Sequence, residues 1–187
     1  VEEIAYEKIC ALKSNMICIS SDHKTSIKTI FNKHASSVNA QIIYVPSPKH
    51  SQFIKLNGIH QSENEMLAIK AVENLHNFKV NDSLINKGLS SVSWPGRIQK
   101  IHNHPYVYYD VAHNQASFKS LCRYVNTLTG HKTLILALQK HKNLNSVIKI
   151  IENTFNHIII TQTNVRNFVV SNELFNLFSA NKVELIK

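Results

Sequence analysis

The chain has 187 residues, of which 43% are hydrophobic and 18% are charged, the balance of a globular protein rather than of a disordered chain. No apolar run approaches the roughly 20 residues that a membrane-spanning helix needs, and the three cysteines lack C-x-x-C spacing, which favours free thiols in a reducing compartment over a disulfide frame or a zinc site. The formal net charge of +9 comes from scattered lysines, and no basic run alternates with aromatic residues as in single-strand binders, so the charge alone does not indicate a nucleic-acid partner.

The first half of the chain carries the hydrophobic spacing of helices that alternate with short strands. We predict helices over residues 1–13, 26–35, 62–78 and 82–89, and strands over residues 16–20, 41–45 and 51–56. The clearest helix is 62–78, whose apolar side chains recur at helical spacing. They predict one buried face formed by Leu67, Ala71, Val72 and Leu75.

The second half alternates more regularly and follows a turn at Trp94-Pro95-Gly96, where we place the boundary between domains 1–92 and 93–187. We predict strands over residues 106–110, 133–138, 157–161 and 183–186, and helices over residues 117–128, 144–155 and 171–179. Apolar strands alternating with helices predict an α/β fold with a mostly parallel sheet covered on both faces. No G-x-G-x-x-G follows a strand, so a dinucleotide site is not indicated.

Four motifs occur in an order and spacing that resemble one enzyme family. They read IAYEK over residues 4–8, LNGIHQSEN over 56–64, WPGR over 94–97 and DVAHN over 110–114. Together they resemble the folylpolyglutamate synthase/dihydrofolate synthase family of the Mur ligase superfamily. The resemblance implies that the first domain is the C-terminal part of the Mur ligase central ATPase domain. The second would be the Rossmann-like C-terminal, or glutamate ligase, domain.

The resemblance implies an ATP-dependent acid–amino-acid ligase. In this family ATP converts a carboxylate of folate or dihydropteroate to an acyl phosphate, and the amine of L-glutamate then attacks to form an amide. ATP and Mg²⁺ are the expected cofactors, and we expect a cytoplasmic monomer that binds neither nucleic acid nor membrane. No G-x-x-x-x-G-K-[ST] occurs in the chain. We therefore expect the phosphate loop to lie upstream and this fragment to be inactive alone.

Lys8 matches the lysine that this family carbamylates. A carbamate turns the cation into a carboxylate-like group that can help to position Mg²⁺, whereas a protonated lysine has no lone pair for a metal. The resemblance implies a catalytic role for Lys8 and assigns no side chain as a direct metal ligand. The alternative is a solvated helix lysine paired with Glu7 or Glu3, and the family's Ala-Gly after the lysine is Ile9-Cys10 here.

Arg97 is implied both as a catalytic residue and as a contact to ATP. It follows Pro95, which fixes the approach of the chain, and Gly96, which permits an unusual turn. A guanidinium presented by such a turn suits bidentate binding of a γ-phosphate. The alternative is a surface arginine near a domain boundary.

Asn64 and Asp110 are the other implied contacts to ATP. Asn64 stands at the predicted start of a helix, where an amide can contact the nucleotide or cap the helix. Asp110 ends a predicted strand, and ligands of open α/β sheets bind at the carboxyl ends of strands. Its carboxylate could accept a bond from a ribose hydroxyl or cap the following helix.

The turn after Asp110 supplies His113, which the resemblance implies as a catalytic residue, and Asn114. Both are expected in an interdomain site, and Gln115 stands where the family usually has proline. His60 and Gln61 are expected to shape the loop before the helix that starts near Asn64.

Two further cations have weaker matches in the family. Lys142 is what remains here of an Asp-Lys-Asp element, in the segment His141-Lys142-Asn143, and could contact a substrate carboxylate or phosphate. Arg166 matches an arginine further along the family's sequence, with an exposed loop arginine as the alternative.

Two other functions remain open at the level of sequence. The chain could come from another Mur-type ligase that adds an amino acid to a cell-wall precursor, although the His-Gln and Trp-Pro-Gly-Arg elements favour the folate branch. It could also be a basic, non-catalytic domain that binds nucleotides or nucleic acid, which would use the +9 charge.

Overall fold

A computed structural model of the protein describes residues 1–46, 54–58, 60–138, 145–162 and 171–186. The chain divides into two compact units, one of residues 1–55 and 59–93 and the other of residues 56–58 and 94–187. Both units combine helices with strands, and three of the four strand pairings among the described residues are parallel. The predicted α/β class with mostly parallel pairing is therefore confirmed. The assignment of family domains to residues 1–92 and 93–187 stays a prediction.

The first unit is built around a β-α-β crossover. Its elements are α1 (Glu2–Ile9), β1 (Ile17–Ser20), α2 (Thr25–Ser37), β2 (Gln41–Tyr44), α3 (His60–Glu73) and α4 (Asp82–Ser91). Strands β1 and β2 are parallel, with Ile17 opposite Gln41, and α2 connects them. Ile9, Leu12 and Ala35 form the centre of a small apolar core under this pair.

Three predictions for the first unit need correction. Helix α1 ends at Ile9 rather than at residue 13. In the predicted strand 51–56, residues 54–56 are not a strand and residues 51–53 lie outside the described residues. The predicted apolar face of α3 is wrong: Ala71 and Leu75 are exposed and the other two members are only half-buried. The buried residues of α3 are polar, namely Gln61, Ser62 and Glu65.

The second unit joins a hairpin to a three-stranded sheet. Its elements are β3 (Gln99–Asn103), β4 (Tyr106–Tyr109), α5 (Gln115–Val125), β5 (Thr133–Leu136), α6 (Ile148–Thr154), β6 (His157–Ile160), α7 (Ser171–Phe175), a short 3₁₀ helix (Ala180–Lys182) and β7 (Val183–Leu185). The sheet has the order β5-β6-β7 and is parallel throughout. Its strands are short, and β6 in the middle buries Ile158 and Ile160 completely.

The hairpin corrects the predicted sheet. Strand β3 was not predicted, and β4 pairs with it antiparallel, with Gln99 opposite Tyr109 and an irregularity between Lys100 and His102. Among the described residues β4 has no pairing with the β5-β6-β7 sheet. Asp110 therefore follows the last residue of a hairpin strand, and its predicted position at the edge of a parallel sheet is wrong.

Helix α5 supplies the apolar face that its spacing predicts. Four of its side chains are buried, and they join the core that β5, β6, α6 and the residues around α7 complete. These four are Phe118, Leu121, Cys122 and Val125. Leu128, the fifth predicted member, lies beyond the end of the helix and is half-buried. Burial raises the pKa of the Cys122 thiol, and a hydrogen bond with the Thr154 side chain offsets a smaller part of this increase.

Candidate functional site

The most constrained backbone of the second unit surrounds Arg97, and we call residues 94–98 the Arg97 turn. Gly96 has φ +73° and Ile98 has φ +46°, so both neighbours of Arg97 lie in the left-handed region. Gly96 is required for space as well as for conformation, because a Cβ on it would lie 2.6 Å from Cγ1 of Val111. A β-branched residue at positive φ is a real outlier and persists only where its surroundings hold it.

The two peptide groups that flank Arg97 are both held by the residues that follow β4. The carbonyl oxygen of Gly96 accepts a hydrogen bond from the backbone N–H of Val111 at 3.0 Å. The backbone N–H of Ile98 donates to Oδ2 of Asp110 at 2.8 Å. The backbone on either side of Arg97 is therefore tied to one short segment.

The next peptide group on each side is also hydrogen-bonded. The N–H of Gly96 donates to Oε1 of Gln99 at 3.1 Å. On the other side, Nδ2 of Asn57 donates to the carbonyl oxygen of Ile98 at 2.9 Å. The side chain of Ile98 is 1% exposed and belongs to the core of the unit. Four consecutive peptide groups and one buried side chain thus fix the backbone of the Arg97 turn.

The Arg97 side chain contrasts with its backbone. It is exposed, and its guanidinium makes no hydrogen bond or ion pair with any residue that the structure describes. Five N–H donors in a planar fork are therefore available to an anion, and the fork matches carboxylate or phosphate oxygens. A fixed backbone under an unpaired cation is an arrangement suited to anion binding.

Asp110 has a structural role that the sequence did not predict. Its Oδ2 accepts from Ile98, and its Oδ1 accepts from the backbone N–H of Ala112 at 2.8 Å. The helix-capping alternative for Asp110 is wrong, because the cap of α5 is Asn114. An ionised carboxylate has about four lone-pair positions, so a further bond to a ligand hydroxyl is compatible with these two contacts.

Asn114 and Ser117 form a capping box at the start of α5. Oδ1 of Asn114 accepts from the backbone N–H of Ser117 at 2.9 Å, and Oγ of Ser117 accepts from the backbone N–H of Asn114 at 3.1 Å. The same Oγ accepts from the N–H of His113 at 3.1 Å. The turn that carries His113 is therefore tied directly to the helix start.

The His113 ring is exposed, and Nδ1 lies 3.1 Å from the carbonyl oxygen of Val111. Because a carbonyl oxygen only accepts, this contact favours the proton on Nδ1 and leaves the lone pair of the neutral ring on Nε2. Nε2 lies 3.5 Å from Nδ2 of Asn114, an amide that can donate to this lone pair.

Asn114→Ala should lower the free energy of unfolding by about 1 kcal/mol, the usual cost of losing an N-cap side chain. Chemical denaturation of both proteins measures the change. Asn126→Ala is the matched control, since Asn126 is exposed at the other end of α5 and caps it only through its backbone. Equal losses for the two variants would contradict the capping role of the Asn114 side chain.

Lys8 and Asn64 lie in the first unit. Nζ of Lys8 lies 2.8 Å from Oε1 of Glu7, both side chains are about 70% exposed, and the contact lowers the pKa of Glu7 by hydrogen bond and by charge. This is the local pairing that the sequence analysis gave as the alternative. Exposed pairs of this kind contribute little to stability.

Asn64 is not a helix cap, because α3 begins four residues earlier, at His60. Its Nδ2 donates to Oε1 of Gln61 at 2.9 Å, and Nε2 of Gln61 lies 2.9 Å from Nε2 of His60. His60 and Gln61 thus lie inside the first turn of the helix and not in a loop before it. The exposed Asn64 carries a carbonyl oxygen for which no contact is seen among the described residues.

Two of the candidate cations fall outside the described part of the chain. Lys142 and Arg166 lie outside the described residues. Within the residues that are described, no three His, Cys, Asp or Glu side chains are grouped so that they could hold a metal ion. No helix in the same residues is both long and apolar enough to cross a membrane.

A shallow cavity of about 410 Å³ lies elsewhere in the second unit. It is lined by residues of α6 and by residues 177–179, with Asn145. None of its lining residues belongs to the Arg97 turn or to the segment after β4. The cavity is therefore separate from the residues around Arg97.

Comparison with known sequences gives a consistent set of relatives. No protein-family model matches the chain. The dihydrofolate synthase/folylpolyglutamate synthase of Bacillus subtilis is 31% identical over 137 residues, which are 70% of this chain and 32% of that protein. The chain thus spans about a third of the length of this curated relative.

Comparison with solved structures gives the same family. Folylpolyglutamate synthase of Mycobacterium tuberculosis, complexed with ADP and AMPPCP, matches all of this chain with a TM-score of 0.89 and 16% identity. A bifunctional folylpolyglutamate synthase/dihydrofolate synthase with Mn, AMPPNP and L-glutamate bound matches 98% of the chain with a TM-score of 0.79 and 15% identity. The chain covers 50% and 48% of these two structures. At such identities the likeness establishes the fold.

Proposed function

Since this chain belongs by homology to the folylpolyglutamate synthase/dihydrofolate synthase family and spans part of it, we propose that it forms part of an ATP-dependent ligase that joins L-glutamate to folate or dihydropteroate. The observation that supports this proposal within the chain is the guanidinium of Arg97, which has no partner among the described residues and stands on a fixed backbone. The relatives that bind adenine nucleotides, Mn and L-glutamate support the same substrates here.

The proposed reaction has two steps, each with a balanced transfer. A carboxylate oxygen of the folate or dihydropteroate attacks the γ-phosphorus of ATP, the bond from that phosphorus to the β–γ bridging oxygen breaks, and ADP leaves. The lone pair of the neutral amine of L-glutamate then attacks the acyl carbon, and the nitrogen gives up a proton. Phosphate leaves with the electron pair of the carbon–oxygen bond, and an amide remains.

Arg97 is proposed to bind the γ-phosphate through the first step. Charge spreads over the equatorial oxygens of the transferred group, and preorganised cations stabilise it most where they need not move during the reaction. The hydrogen bonds to the peptide groups around Arg97 supply that preorganisation. A flexible surface arginine would have to be ordered in each turnover and would contribute less.

Asn64, Asp110 and His113 are proposed to assist at the nucleotide. Asn64 offers a carbonyl oxygen that makes no contact with the described residues and suits an adenine amino group. Asp110 retains acceptor capacity for a ribose hydroxyl. We propose that Nε2 of His113, which lies 3.5 Å from Nδ2 of Asn114, accepts a proton when the glutamate amine attacks. In the intact ligase, Asp110→Ala is expected to weaken the use of ATP by at least tenfold, because it removes both this acceptor and the bond to Ile98.

Mg²⁺ is proposed as a cofactor, but the described residues do not build a site for it by themselves. A carbamate on Lys8 would add one oxygen ligand of the kind that Mg²⁺ prefers. The carbamate forms only on the neutral amine of Lys8. Lys8 must therefore first be released from its pairing with Glu7.

The proposal is tested by assaying the intact ligase with three acceptors in the presence of ATP, Mg²⁺ and L-glutamate. We expect ADP release that depends on dihydropteroate or on folylglutamate, with a product heavier by one glutamate residue. Muramyl precursors serve as the third acceptor. Turnover of muramyl substrates alone would assign the chain to a cell-wall ligase instead.

The charge of the second unit provides a test against a nucleic-acid function. Residues 56–58 and 94–187 contain eleven Lys and Arg but only four Asp and Glu. We propose that this excess of positive charge attracts anionic small substrates. We also propose that the protein is a cytoplasmic monomer. Titration of the chain with single-stranded DNA and RNA at 50 and 200 mM salt should give no tight, specific complex. Tight binding with a steep salt slope, together with no turnover of ATP, would favour a nucleic-acid-binding domain.

A further inference from the structure

We infer that Asn57 is a positioning residue for Arg97, one that acts through the backbone of the Arg97 turn without touching substrate. The inference rests on the proposed function for its effect on catalysis. The geometric part of it stands on the hydrogen bonds of the turn alone. Asn57 lies in the motif LNGIHQSEN, directly before Gly58.

The reason lies in the conformation of Ile98. Its φ of +46° is unfavourable for a residue that carries a Cβ, so the turn would relax to negative φ unless it were held. Asp110 holds the peptide group before the Ile98 Cα, through the N–H. Asn57 holds the peptide group after it, through the carbonyl oxygen. Rotation about either backbone dihedral of Ile98 must therefore break one of the two bonds.

Asn57 completes the hydrogen bonds to the Arg97 turn, because it binds the peptide group on the far side of Ile98. Gln99, Asp110 and Val111 are close in sequence to the turn or to the paired strand β4, and they bind Gly96 and the N–H of Ile98. The donor to the Ile98 carbonyl comes from 41 residues upstream. Without it, the carbonyl oxygen of Ile98 loses its side-chain donor, and the chain after Ile98 is restrained by the β3–β4 pairing that begins at Gln99. We infer that this weaker restraint lets the Arg97 turn, and the side chain it carries, move more.

The residue type fits this role. An asparagine amide donates, as the carbonyl requires, whereas an aspartate in its place would set a carboxylate against a carbonyl oxygen. Gly58, the next residue, has φ +106° and turns the chain directly after the donor. The Asn-Gly pair thus serves both as a turn and as an anchor.

A double-mutant cycle in the intact ligase tests whether Asn57 acts through Arg97. Asn57→Ala should lower kcat/KM for ATP by about three- to tenfold, the scale of one net hydrogen bond, with the effect mainly in kcat and KM for L-glutamate unchanged. In the Arg97→Ala background the same substitution should have no further effect. An equal loss in both backgrounds would overturn the inference.

Two variants control for general damage. Asn74→Ala removes a bond of the same kind, from Nδ2 to the carbonyl oxygen of Lys70 at 2.8 Å, and should leave kcat/KM unchanged. Asn57→Gln keeps an amide donor on a longer stem and should recover part of the loss. A loss of the same size for Asn74→Ala would mean that the Asn57 effect is not specific to the Arg97 turn.

Hydrogen exchange on the 187-residue chain tests the geometry without any turnover. In Asn57→Ala the amide of Ile98 should exchange about three- to tenfold faster, while the amides within the β3–β4 pairing keep their rates. If the Ile98 amide keeps its rate, Asn57 does not hold the turn and the inference fails. If Arg97→Ala alone leaves catalysis unchanged, the proposed function of Arg97 fails and this exchange measurement still decides the role of Asn57.

Discussion

Replacing Arg97 with alanine should lower kcat/KM for ATP by about 100-fold in the intact ligase. This is the scale of losing one preorganised donor to a group on which charge develops. Since the guanidinium makes no hydrogen bond or ion pair with the described residues, its removal should leave the free energy of unfolding within about 0.5 kcal/mol of the wild-type value. Steady-state kinetics and denaturation on the same preparations measure both quantities.

Two substitutions sharpen the result. Arg123 is an exposed arginine in the last turn of α5, so Arg123→Ala removes an equal charge away from the turn and should keep wild-type kinetics. Arg97→Lys keeps the charge but loses the planar fork, and should recover only part of the activity. Wild-type kinetics for Arg97→Ala would show that the phosphate is bound elsewhere.

Gly96→Ala should destabilise the second unit by about 2–5 kcal/mol. The left-handed conformation costs roughly 1–2 kcal/mol for a residue with a Cβ, and overpacking adds about 1–3 kcal/mol because the new atom would lie 2.6 Å from Cγ1 of Val111. Thermal and chemical unfolding measure the loss. Activity should fall as well, since the carbonyl of Gly96 holds one side of Arg97.

Two other glycines, Gly130 and Gly88, provide controls that separate the conformational cost from the overpacking cost. Gly130 has φ +92° and no atom within 4 Å of an added Cβ, so Gly130→Ala should show the conformational cost alone. Gly88 lies inside α4 in open space, so Gly88→Ala should stabilise the protein by about 0.5–1 kcal/mol. An equal loss for Gly96→Ala and Gly130→Ala would mean that Val111 moves away freely.

Sequence patterns predicted the parts of the fold that depend on local periodicity. The buried face of α5 followed from helical spacing, and the parallel strands β5 and β6 followed from short runs of β-branched and aliphatic residues. Strand β3 was missed because its residues are largely exposed and polar, so no alternation of burial marks them in the sequence. The antiparallel pairing of β4 could not be predicted without β3.

The buried polar residues of α3 were missed for a different reason. Hydrophobic spacing assumes that apolar side chains are the ones buried, and it assigned the inner face to residues such as Leu75, which is 48% exposed. Gln61 is instead buried between hydrogen-bonding neighbours on its own helix, Asn64 and His60. Burial of polar groups depends on partners, which a periodicity count does not include.

For the candidate site, a local motif identified Arg97 but not the residues that hold it. The Trp-Pro-Gly-Arg element predicted a rigid turn, and both positive φ values agree with that prediction. The partners could not be deduced, because Asn57 is distant in sequence and because Asp110 follows a strand whose pairing was not foreseen. An Asn-Gly pair upstream of such a turn is the signal that could have suggested the anchor.

The long separation between Asn57 and Ile98 has a consequence for the order of folding. The β3–β4 hairpin closes a short loop and, with Gln99 opposite Tyr109, brings Asp110 to the amide of Ile98. Such local closure takes microseconds. Residues 56–58 must join across a much longer loop, and therefore join late. A recombinant fragment that starts at Trp94 would contain the residues of the hairpin and the sheet but would lack Asn57. The carbonyl oxygen of Ile98, next to Arg97, would then have lost its side-chain donor.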